Sequence, residues 1–153
     1  MLTMYILHGF IGSGKSTWAR NFAKEHPDTK IVSADSFREM FNGEYKYLEE
    51  LDDVISVSMR NTAYNLIANE YNVIIDCGNL SKERRNEWKG IYADKIAVIF
   101  PHKDKEWHLK NRQEKPHWNT DWDAVWESEH KSYEPINENE FDEVIYVEDW
   151  EGN

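Results

Sequence analysis

The chain has one cysteine, Cys77, with four prolines and seven glycines, in 153 residues. A lone cysteine excludes an internal disulfide framework and suits a reducing compartment. No internal repeat, low-complexity tract or long linker interrupts the sequence, so one domain over residues 1–153 is expected. Long apolar runs are missing too, the longest being strand-sized, Ile96 to Phe100. Neither a signal peptide nor a membrane span is therefore expected, and the expected location is cytoplasmic. Positive charge is in short supply: 18 basic residues face 29 acidic ones, for a net charge of −11. Such a surface repels long polyanions and argues against broad non-specific nucleic-acid binding, though not against a local basic groove. The six histidines have no metal-ligand spacing, and none is assigned to zinc.

What is present is one sharp motif. Gly9-Phe10-Ile11-Gly12-Ser13-Gly14-Lys15-Ser16, followed by Thr17, fits the phosphate-binding loop G-x-x-x-x-G-K-[ST] at every fixed position. Met4-Tyr5-Ile6-Leu7-His8 reads as a strand before it, and Trp18 to Ala23 as a helix after it. Glycines permit the tight turn that points successive N–H groups at a phosphate. The following helix adds its dipole, Lys15 a charge for the β- and γ-phosphates, and Ser16 a hydroxyl for Mg²⁺. Gly12, Ser13, Gly14, Lys15, Ser16 and Thr17 are thus the candidate ligands of ATP or another nucleoside triphosphate. The bland alternative is a glycine-rich turn that matches by chance.

Strand and helix signals alternate along the rest of the chain. Lys30–Ser33 reads as a second strand, and a short helix follows it through Phe41, with Asp35 as its N-cap. Residues 48–71 carry apolar residues at spacings of three and four, which predicts one long amphipathic helix. Asn72–Asp76 reads as a third strand, Ser81 caps a helix to about Ile91, and Lys95–Phe100 forms a fourth strand. Helices are expected from Asp104 to about Gln113 and from Thr120 or Asp121 to Tyr133, with a last strand over 141–147. The expectation is an α/β fold of the P-loop kinase-like kind. Its parallel sheet has about five strands, helices on both faces and a lid near residues 110–120.

Ligands in such sheets bind beyond the carboxyl ends of the strands. After the second strand come Asp35 and Arg38, three apart on one helical turn. A carboxylate there suits an attacking hydroxyl, and a guanidinium an acceptor phosphate; a cap and a solvated charge are the plain alternative. Asp76, ending the third strand, suits the ordering of Mg²⁺ beside the loop serine, or a turn cap. Cys77 reads as a small buried residue rather than a nucleophile, having no base near it in sequence. Trp118, Trp122 and Trp126, four apart, read as core before base-stacking platform, while Tyr45 and Tyr47 remain unassigned. Lys103 to Lys115 reads either as a basic segment closing over the triphosphate or as a solvated face.

Gly12-Ser13-Gly14-Lys15-Ser16-Thr17-Trp18-Ala19-Arg20 resembles the loop of the bacteriophage-type polynucleotide 5′-hydroxyl kinases. Ser33 to Arg38 resembles that family's acidic-aromatic-arginine segment, and Val73 to Arg85 its third strand and next helix. The likeness covers about the first hundred residues well and the lid and C-terminal helix loosely. It implies transfer of the γ-phosphate of ATP, with Mg²⁺, to the 5′-hydroxyl end of DNA or RNA. It further implies Lys15 and Ser16 as phosphate and metal ligands, Asp35 as general base and Arg38 as holder of the acceptor's 3′-phosphate. Three departures stand out. Gly78 replaces the family's usual threonine before Asn79-Leu80. The lid's Arg-Asn-x-x-Arg run is only partly matched by Lys110 to Lys115, leaving Arg112 as first lid candidate and Lys115 as second. No 3′-phosphatase module is expected in these 153 residues, and relatives of this kind can assemble as oligomers.

Two other functions fit the same loop. One is a kinase of a nucleoside, modified base or small metabolite, which the net negative charge favours. The other is a non-catalytic nucleotide-binding module, against which Lys15, Ser16, Asp35 and Arg38 together argue.

Overall fold

The computed structural model describes residues 1–112 and 120–148. Five strands, β1 (Thr3–His8), β2 (Thr29–Ser33), β3 (Asn72–Asp76), β4 (Asp94–Ile99) and β5 (Glu143–Tyr146), form one parallel sheet in the order β2-β3-β1-β4-β5. The helices are α1 (Lys15–Glu25), α2 (Ala34–Asn42), α3 (Asp52–Ala68), α4 (Lys82–Asn86), α5 (Lys105–Arg112) and α6 (Trp122–Ser132). The expected α/β architecture is the observed one.

Alternation along the strands builds two apolar layers. Met4, Ile6, Val32, Val73 and Ile75 face α3 and the segment around Trp88 and Ile91. Leu7, Ile74 and Val98 face the other way, against Ala19, Trp18 and Phe22 of α1. A third cluster, Phe10, Ile11, Leu80 and Trp126, packs α6 against the C-terminal edge of the sheet. That edge is where β1 hands the chain to the phosphate loop, so the loop lies between the layers.

Several boundaries differ from expectation for local reasons. Ser33, not Asp35, caps α2, its side chain accepting from the Ser36 amide. Helix α2 thus starts directly after β2 and leaves the Asp35 carboxylate free for tertiary contacts. The stretch 48–71 is not one helix: Glu49–Leu51 is a 3₁₀ turn, α3 ends at Ala68, and Glu70 takes a positive φ of 69°. Its periodic pattern ran on because Leu48 and Leu51, which precede α3, keep the spacing of three with Val54 inside it. Helix α4 stops at Asn86 and gives way to turns before Ile91. Trp126 is core as expected, Trp122 is half-buried, and Trp118 and Lys115 lie outside the described residues.

Arg85 locks the C-terminal region to this frame. Its buried guanidinium donates to the carbonyls of Asn79, Leu80, Glu134 and Pro135 and pairs with Glu140 at 3.1 Å. Removing one partner of a buried network strands the others. Arg85→Ala is expected to destabilise the fold by about 3–5 kcal/mol, read as a lower urea midpoint with the slope preserved.

Candidate active site

Helix α1 lacks the side-chain cap that α2, α4 and α6 have. Ser33, Ser81 and Asp121 cap α2, α4 and α6 with side-chain oxygens, whereas no side chain caps α1, whose N-cap position is Gly14 with φ 98°. Its first-turn amides are thus left for an anion, at the positive end of the helix dipole. Gly12 is also left-handed, with φ 66°, and a Cβ there would overlap the His108 carbonyl oxygen. The glycines of the motif are therefore required by backbone geometry as well as by phosphate access.

The loop opens on a cavity of about 740 Å³ whose lining includes residues 11–17, Asp35, Arg38, Asp76 and Arg112. The topology brings these together because β1, β2 and β3 are adjacent and end at the same edge. Lys15 Nζ donates to the Phe10 carbonyl at 2.7 Å, which folds the side chain over the loop. Burial lowers its pKa, an effect that the carboxylates of Glu129 and Asp76 oppose. Ser16 Oγ donates to Asp76 Oδ2 at 2.9 Å. Burial raises the Asp76 pKa, against the pull of that hydrogen bond and of Lys15. A hydroxyl and a buried carboxylate side by side are oxygen ligands of the kind a hard divalent cation takes. Burial also pushes the Cys77 thiol up to about 11, so it stays protonated at neutral pH.

Asp35 is held from two sides. Arg38 Nη1 meets Oδ1 at 3.0 Å, and Arg112 Nη2 meets Oδ2 at 3.2 Å. Each guanidinium has an aromatic backing, Tyr47 at 5.5 Å from Arg38 and Trp122 at 4.7 Å from Arg112. The Arg38–Asp35 pair was foreseeable from its i,i+3 spacing; the arrival of Arg112 from 77 residues away was not. Tyr45, near Trp122 at 6.2 Å, has its hydroxyl pKa pushed up to about 12 by burial and by the charge of Asp35. The candidate residues Lys15, Ser16, Asp35, Arg38, Asp76 and Arg112 therefore surround one cavity.

Three further side chains reach the loop, and spacing did not single them out. Glu129 Oε1 accepts from the Ile11 amide at 2.9 Å, His108 Nδ1 donates to the Ile11 carbonyl at 2.8 Å, and Asn111 donates to the Gly12 carbonyl at 2.9 Å. In the sequence Glu129 is one more residue on the inner face of α6, and His108 an isolated histidine. Gly78, where the resembled family has threonine, accepts the Gly9 amide through its carbonyl at 3.2 Å.

A family model described as an AAA domain matches residues 4–136. The chain belongs to this family. As an AAA domain it has the nucleotide-binding P-loop kinase fold seen in its structural neighbours. Over 135 residues it is 32% identical to the 2′,3′-cyclic-nucleotide 3′-phosphodiesterase of Rattus norvegicus, a match covering 80% of this chain and 29% of that protein. The chain thus spans less than a third of the length of that curated relative. A chain of the Pnkp1/Rnl/Hen1 RNA repair complex superposes with a TM-score of 0.73 at 25% identity, covering 86% of this chain and 43% of that one. The Chaetomium thermophilum Kti12 bound to ADP-AlF3 gives 0.70 at 14% identity over 94% of this chain and 88% of that one, a likeness of fold alone. Among the described residues no helix is long and apolar enough to cross a membrane.

Two buried histidines give this AAA domain an acid limit. His8 and His108 are held at about 4 by burial, against the raising effect of the Asn79 and Ile11 carbonyls they bond. An unfolded chain binds these protons near pH 6.5, the folded one only near 4. Between those values the unfolded state holds more protons, so stability falls as pH drops from about 6.5 to about 4. Urea midpoints at pH 7 and pH 5 are expected to show this loss, and His108→Gln is expected to flatten it.

Proposed function

We propose that this domain transfers the γ-phosphate of ATP to the 5′-hydroxyl end of a DNA or RNA strand, with residues 1–153 acting as one kinase unit. The observation that carries the reading is the grip of Arg38 and Arg112 on Asp35, in the cavity that the phosphate loop opens onto. In that reading the loop amides of residues 12–17 and Lys15 hold the triphosphate. Asp35 accepts the proton as the hydroxyl oxygen bonds to the γ-phosphorus and the bond to the bridging oxygen breaks, releasing ADP. Arg38 would hold the acceptor's neighbouring phosphate, and Arg112 would neutralise charge growing on the transferred group. Ser16 and Asp76 would hold Mg²⁺, which when bound offsets the charge of the β- and γ-phosphates.

Charge distribution supports an anionic ligand. Five basic side chains line the cavity (Lys15, Arg20, Arg38, Arg84 and Arg112) against four acids (Asp35, Asp52, Asp76 and Glu129), so its described lining is net positive in a chain of net charge −11. Such a reversal in a cleft draws phosphates locally without general affinity for polyanions. Similarity to a chain of an RNA repair complex supports a nucleic-acid end as acceptor. A small hydroxylic acceptor is the second reading, favoured by the apolar wall that Ile55, Met59, Leu80 and Val125 give the cavity. The cyclic-nucleotide phosphodiesterase is more than three times as long as the stretch shared with it, and its activity is not carried over.

Incubation with γ-labelled ATP and Mg²⁺ against 5′-hydroxyl DNA, 5′-hydroxyl RNA, 3′-nucleotides and free nucleosides separates these readings. Label on the oligonucleotides is expected; label on small acceptors alone would sink the polynucleotide reading. Asp35→Asn is expected to slow transfer by about 10²-fold or more while ATP still binds, and wild-type turnover in that variant would remove Asp35 from the chemistry.

A further inference from the structure

We infer that His108, Asn111 and Glu129 are positioning residues that hold the first half of the phosphate loop in its nucleotide-binding geometry from helices α5 and α6. The inference rests on the loop being the donor-phosphate site of the proposed reaction and does not depend on the acceptor.

A trans peptide is planar, with its C=O and N–H pointing in opposite directions. Pinning a carbonyl on one side of the chain therefore aims the next residue's N–H to the other side. His108 pins the Ile11 carbonyl, which aims the Gly12 amide, and Asn111 pins the Gly12 carbonyl, which aims the Ser13 amide. Glu129 takes the Ile11 amide just upstream, so three backbone groups of two adjacent residues are fixed by side chains over 90 residues away in the chain.

The His108 ring can make its contact in one way only. The Lys103 amide donates to Nε2 at 3.0 Å, so Nδ1 carries the hydrogen that the Ile11 carbonyl accepts. The ring is fully buried, and the backbone of α5 lies where a Cβ of Gly12 would be. Glu129 is half-buried against the same loop, where burial raises its pKa against the pull of Lys15 and of the Ile11 amide. Helix α6 is in turn seated by Phe10, which stacks on His130 at 4.4 Å and lies 5.6 Å from Trp126. Loop and helices therefore brace each other.

Calorimetric titration of the full chain with ATP, and with adenosine as a phosphate-free control, tests this. Asn111→Ala and Glu129→Ala are each expected to weaken ATP binding by about tenfold or more, with the adenosine affinity unchanged. Glu129→Gln keeps an acceptor oxygen for the Ile11 amide and is expected to recover most of that loss. His108→Ala is expected to act in the same direction, but the ring is buried, so the two more accessible positions decide. Wild-type ATP affinity in both alanine variants would overturn the inference. So would a Glu129→Gln variant as weak as Glu129→Ala, which would assign the effect to charge. ATP binding by the wild type without transfer to oligonucleotides would overturn the proposed acceptor and leave this inference standing. No ATP binding by the wild type would overturn both.

Discussion

A phosphate site made of backbone imposes a constraint on everything behind it. When a run of amides turns toward a cavity, the carbonyls of the same peptides turn into the protein and must find donors there. Here Phe10 is satisfied by Lys15, Ile11 by His108, Gly12 by Asn111 and Gly14 by the Trp18 amide. Two of those donors lie on α5, which makes that helix the rear wall of the loop. The aromatic cluster of Phe10, His102, Trp126 and His130 then ties α6 to the same wall. The described C-terminal elements are thus part of the support of the nucleotide site.

Electrostatics follows the same geometry. The carboxylates of Glu129 and Asp76 act on Lys15, and Asp35 pairs with both Arg38 and Arg112, so these charges of the cavity are offset by opposite ones. Such offsetting avoids stranding a charge in low dielectric, which would cost several kcal/mol. It also leaves a small positive excess for an incoming phosphate, while the outer surface stays acidic.

Much of this was legible in the chain because it is local. The motif from Gly9 to Ser16 specifies a turn, an uncapped helix start and a lysine in one stretch, and Asp35 with Arg38 share a helical turn by spacing alone. Asp76 could be found because it ends an apolar run that reads as a buried strand. Local rules also misled where two explanations compete for one residue. Asp35 looked like a helix cap, yet Ser33 two positions earlier takes that role and releases the carboxylate. The stretch 48–71 looked like one helix because a spacing of three from Leu48 through Leu51 to Val54 fits a 3₁₀ turn leading into a helix as well as it fits one continuous helix.

By itself the sequence determined the sheet's strands, the phosphate loop and the residues waiting at three strand ends, since each depends on neighbours within a few positions. Tertiary structure alone decided who meets them. Arg112 reaches Asp35, Glu129 reaches Ile11, and Arg85 gathers the carbonyls of two distant segments. Such partnerships are set by how helices pack on a sheet edge, and a lone glutamate or histidine in the chain carries no mark of the backbone group it will satisfy.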